Sequence, residues 1–148
     1  MEKYQVWLNV YYDWPDLPNG VFDLRIGFPM KTSEGMKLRQ AFAACMYFLA
    51  KRDAYFKIGM ASNLATRWLM YQQPGNSWTT SHLGVLMAIE GRVAAGMAES
   101  ALIAMLTSTD LPANHNINWK HGDKGGTGPR PVETEHSLHY VYLAVAVA

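Results

Sequence analysis

The 148 residues, 49% of them hydrophobic and 12% aromatic, are enough for one domain with a substantial core and exclude wholesale disorder. A formal net charge of +1 excludes a strongly basic nucleic-acid binder, so any affinity for phosphates has to come from a local basic face. The single cysteine, Cys45, rules out an internal disulfide and suits a reducing compartment, where it reads as a small core residue.

In chain order, Tyr4 to Tyr12 and Val21 to Phe28 read as two strands joined by a loop that holds Pro15, Pro18 and Asn19-Gly20. Together they suggest an N-terminal hairpin. Residues Ser33 to Ala44 place Met36, Leu38, Phe42 and Ala43 among charges, an amphipathic helix that Ser33 could cap. The runs Cys45 to Ala50 and Tyr55 to Met60 flank the polar pair Arg52-Asp53, which predicts two antiparallel strands and a tight turn. A helix follows through Arg67 and Trp68, capped by Ser62 or Asn63. In this arrangement Tyr47, Lys57 and Arg67 face one side.

Trp78 to Ile89 has a polar entry and the apolar run Leu83 to Ile89, a third strand, and Val93 to Leu106 is its partner helix. From Val93 to Thr107 the only charge is Glu99. A nearly charge-free helix with one acid implies packing on most sides and one face toward a pocket. Gly122 to Pro131 is dense in Gly and Pro, as in a loop, and Leu138 to Val147 alternates as a terminal strand, expected to close the sheet beside the N-terminal hairpin.

Several of these residues fall in a familiar order. Cys45-Met46-Tyr47 precedes Lys57-Ile58-Gly59 with ten residues from Tyr47 to Lys57, and Arg67 follows Gly59 by eight. Gln72-Gln73-Pro74-Gly75-Asn76 and then Glu99 come next. Over residues 45 to 118 the chain resembles the GIY-YIG nuclease superfamily, whose first motif ends in tyrosine and whose second ends in Ile-Gly. The first motif keeps only its tyrosine, and lysine replaces the tyrosine of the second, as in some related restriction endonucleases. The resemblance implies an α/β (α+β) domain with a small central antiparallel sheet flanked by helices: a 45–118 catalytic core, a 1–44 extension, and a 119–148 loop and terminal strand.

It also implies a divalent-metal-dependent endonuclease acting on DNA or RNA. Phosphodiester hydrolysis needs a base for the attacking water and positive charge at the phosphoryl oxygens. Tyr47 is the expected general base, Lys57 its activator, Arg67 the phosphate clamp, and Glu99 the ligand of Mg²⁺ or Mn²⁺. Asn116, His115, Trp68 and Asn76 are candidate substrate contacts, Trp68 as a stacking surface for bases. The alternative is an interaction module on the same scaffold, without catalysis, for nucleic acid or protein. A homodimer fits either reading. The five histidines lack zinc-site spacing. The start Met1-Glu2-Lys3-Tyr4 has no signal pattern and no apolar run reaches membrane-spanning length, so a cytoplasmic protein is expected.

Overall fold

A computed structural model describes residues 21–23, 34–50, 54–72, 82–112, 115–120, 122, 125 and 138–147. Their elements, in chain order, are β1 (Val21–Asp23), α1 (Glu34–Leu49), β2 (Ala54–Ala61), α2 (Leu64–Tyr71), β3 (His82–Glu90), α3 (Arg92–Thr107), α4 (Ile117–Lys120) and β4 (Leu138–Val147). The strands form one sheet in the order β1-β3-β4-β2. β4 is antiparallel to both β2 and β3, while the short β1 adds parallel to β3 at one edge. The fold is α+β, with a small antiparallel sheet flanked by helices.

The sequence explains why β4 lies in the middle. Val141, Leu143 and Val145 project to one face and Tyr142 and Ala144 to the other, and all are fully buried. An interior strand needs such apolar cover on both faces, and β3 has the same character from Leu83 to Ile89. β4 pairs with β2 from Ala54↔Val147 to Ala61↔Tyr140. Its register with β3 shifts between Val85 and Met87, where a bulge takes up one residue.

The sheet separates two cores. On one face Phe56, Ile58 and Met60 of β2 and Val141, Leu143 and Val145 of β4 pack with α1 and α3, through Cys45, Phe48, Leu102 and Leu106 among others. On the other face Leu64 and Tyr71 of α2 pack with Leu83, Val85, Tyr142 and Ala144.

Two expectations are corrected. Residues 45–49 are the end of α1, not a strand, so 45–61 is a helix followed by a strand instead of a hairpin. Ala41, Cys45, Phe48 and Leu49 recur at helical spacing and are all buried, and that 3.6-residue period overrides the short apolar run. The terminal strand likewise does not close the sheet beside an N-terminal hairpin; it is inserted between β2 and β3. Residues 4–12 and 24–28 of the expected hairpin lie outside the described residues.

α2 and α3 match expectation closely. Asn63, extended at φ −128°, caps α2 by accepting the Thr66 amide on its Oδ1 at 3.0 Å. Gly91, with φ +96°, turns the chain from β3 into α3.

Candidate functional site

The polar cluster forms on the α2 face of the sheet. Along β2 the alternation that buries Phe56 and Ile58 on one side carries Lys57 and Gly59 to the other, opposite Ala144 and Tyr142 of β4. Gly59 is required by what lies across it, since a Cβ there would run into the phenol ring of Tyr142. The bare glycine lets that ring lie flat over β2 and reach α2.

There Arg67 Nη1 donates to Tyr142 Oη at 3.2 Å, and the hydroxyls of Tyr71 and Tyr142 share a 2.6 Å hydrogen bond. Arg67 and Tyr71 are one helical turn apart, on one face of α2. The two phenol rings meet edge to face at 6.1 Å, and Lys57 Nζ sits 5.8 Å from the centre of the Tyr71 ring. Two cations and two phenols thus converge in a largely enclosed space.

Burial raises the Tyr142 pKa well above its ordinary value of 10, and the neighbouring Tyr71 adds to this while Arg67 opposes it. For Arg67, burial disfavours the cation, but the charge and hydrogen-bond interactions with Tyr142 and Tyr71 outweigh it and hold the pKa above the usual range. Next to the cluster, where β2 ends and β4 begins, a cleft of about 130 Å³ is lined by Met60, Asn63, Thr66, Arg67, Met70 and His139, among others. Arg67 therefore contacts both the buried phenols and the cleft.

The resemblance-derived residues divide in the structure. Lys57 and Arg67 come together as expected. Tyr47 does not join them: it lies on the outer side of α1, 67% exposed, and α1 covers the opposite face of the sheet. The placement of Tyr47 on a strand beside Lys57 is corrected, because α1 continues through it. Glu99 does not join them either: it is 8% exposed and shares a buried stripe of α3 with Ala95, Leu102 and Leu106, facing the sheet from the α1 side, so the sheet lies between its carboxylate and the Lys57–Arg67 cluster.

Asn116 is buried and donates from Nδ2 to Thr107 Oγ1 at 3.3 Å, and it bridges to Phe56. His115 stacks edge to face with Tyr55 at 4.9 Å. Both lie along the outer edge of β2. Trp68 is half-buried against the Tyr142 core, and Asn76 lies outside the described residues.

Three residues of the site were missed in the sequence. Neither Tyr142 nor Tyr71 is among the residues expected at the site, although a tyrosine on a strand facing an Ile-Gly strand is a signal for Tyr142. Asn118 was the third. Its Oδ1 accepts the Ile58 amide at 2.7 Å and its Nδ2 donates to the Ile58 carbonyl at 2.9 Å. Asn118 thereby occupies the outer edge of β2 and fixes the backbone between Lys57 and Gly59.

Among the described residues no three His, Cys, Asp or Glu side chains come together as a metal site. Mg²⁺ does not need such a group, since one or two carboxylates with phosphate and water complete its shell, but Glu99, the expected ligand, lies across the sheet from Lys57 and Arg67. No described helix is long and apolar enough to cross a membrane. No family model matches the sequence, and no curated protein or solved structure matches it either.

Proposed function

We propose that the chain is a divalent-metal-dependent nuclease of the GIY-YIG type, hydrolysing phosphodiester bonds in nucleic acid. The observation that carries this reading is the Lys57–Arg67–Tyr71–Tyr142 cluster beside an open cleft, with Gly59 spaced from Arg67 as in the superfamily. Arg67 is bonded to a phenol on one side and lines the cleft on the other, so the buried tyrosine holds the guanidinium in place while its remaining N–H donors can take a phosphate in the cleft. Tyr47 has no part in this arrangement, being exposed on α1 across the sheet, while Lys57 adds a second positive charge beside Tyr71.

The metal dependence rests on the resemblance alone, because Glu99, the expected ligand, lies across the sheet from this cluster. DNA is the proposed substrate, with RNA the second choice. Incubation with plasmid, duplex and single-stranded oligonucleotides in Mg²⁺ and Mn²⁺ tests the reading, with R67A as the control. Metal-dependent cleavage lost in R67A is expected; no cleavage in any metal, or cleavage untouched by the change, refutes it.

A further inference from the structure

Beyond the cluster, the same face of β2 continues to a pair of rings. Tyr55 is two residues from Lys57, about 7 Å along the strand, and the alternation of β2 sends both to the α2 side, where each is half-buried. β4 opposes them with Ala146 and Ala144, so neither meets a bulky cross-strand neighbour. His115 is half-buried too and lies against Tyr55 edge to face, with ring centres 4.9 Å apart.

The backbone that carries His115 is pinned on both sides. Its own amide donates to the Pro112 carbonyl at 3.0 Å. The next residue, Asn116, bridges to Phe56 and donates to Thr107, and Asn118 holds both the amide and the carbonyl of Ile58. Two aromatic rings are therefore set in advance beside the face that carries Lys57 and Arg67, and a ligand stacking there has little left to order.

We propose that Tyr55 and His115 form a stacking platform for an unpaired base of the DNA strand, whose backbone passes Lys57 toward Arg67 and the cleft. The inference rests on the nuclease reading and narrows its substrate to a single-stranded segment. An aromatic ring stacks on the π-face of any base, but in a duplex those faces are covered by the neighbouring base pairs. Lys57 and Arg67 supply the positive charge that the phosphates between platform and cleft require. From Tyr55 to Ala61, which lines the cleft, β2 runs about 20 Å, the length of a short extended oligonucleotide. Trp68, the stacking residue expected from the sequence, packs against the Tyr142 core instead.

The test uses the full chain in EDTA, so that binding is read without cleavage. Dye-labelled oligo(dT), alone and paired with oligo(dA), is titrated with wild type, Y55L, Y55F and H115A by fluorescence anisotropy. A strand carrying 2-aminopurine reports stacking through the quenching of its emission. Wild type should bind the single strand more tightly than the duplex and quench the 2-aminopurine. Y55L keeps apolar bulk without a ring; it should weaken single-strand binding about 5- to 150-fold, the loss of one stacked base, and abolish the quenching. H115A should weaken it as well. Y55F keeps the ring and should bind and quench like wild type, which separates stacking from packing even if Y55L folds poorly. Equal affinity for duplex and single strand, single-strand binding untouched by Y55L or by H115A, or Y55F binding as weakly as Y55L overturns the platform. Cleavage by wild type in Mg²⁺ and Mn²⁺ is measured in parallel. Metal-dependent cleavage alongside any of those results leaves the nuclease reading intact, whereas Tyr55-dependent binding with no cleavage refutes that reading and keeps the platform. A wild-type protein that neither binds nor cuts overturns both.

Discussion

Replacing Gly59 by alanine tests the contact on which the site is built. The added methyl meets the far end of the Tyr142 ring, its hydroxyl and the adjoining carbons, so the ring must tilt away. Overpacking of this kind costs about 1–3 kcal/mol. The tilt also breaks a 3.2 Å and a 2.6 Å hydrogen bond at a buried phenol, at about 1 kcal/mol or more each. A loss of about 2–4 kcal/mol is therefore expected for G59A by urea unfolding.

The origin of that loss is separable with a double-mutant cycle against Y142L, which removes the ring atoms that would collide. In the Y142L background, G59A should become neutral or stabilising by about 0.5 kcal/mol, since alanine loses less backbone entropy than glycine in a strand. The coupling between the two sites should be at least about 2 kcal/mol. If G59A costs the same in both backgrounds, the penalty is a backbone effect, and the reasoning that makes Gly59 a seat for the phenol fails.

Three further outcomes are expected. N118A should destabilise the protein by about 2–4 kcal/mol and speed amide exchange at Ile58, because it strips both partners from a buried backbone N–H and C=O; urea titration and hydrogen exchange check it. Burial lowers the His82 pKa to about 4 from 6.5, so the unfolded chain binds the proton first and stability falls as pH drops from about 6.5 toward 4; H82Q should flatten that part of the stability curve. Cys45, buried with its thiol pushed up to about 12, should resist alkylation at pH 8 in the native protein and react once urea unfolds it.

How far the fold could be read from the sequence depended on how local each signal was. α2, β3, α3 and β4 have strong periodicity and clear limits, so their bounds were legible to within a few residues. The run from Cys45 to Leu49 was ambiguous because five apolar residues fit a strand or the last turn of a helix, and the deciding residues, Ala41 and Phe48, count only when α1 is taken as a whole. At the site, Lys57 and Arg67 were legible because a strand and the helix after it are neighbours in the chain. Tyr142 was not, because its pairing with Gly59 is a register between distant segments, and only the missing side chain of Gly59 hints at it. Asn118 was hidden for a related reason: nothing in its own neighbourhood reveals that, among the described residues, no strand pairs with the outer edge of β2.

The central position of β4 governs how the domain can be assembled during synthesis. β2 and β3 do not pair with each other; apart from the three-residue β1 at the far edge of β3, both bond to a strand that leaves the ribosome after α2, β3 and α3 have been made. A nascent chain ending before Leu138 therefore presents two uncovered hydrogen-bonding edges and two half-built apolar layers, the kind of species that associates with its neighbours. Such a chain depends on late, long-range closure, which favours slow folding and calls for protection of the intermediate until the final strand is inserted.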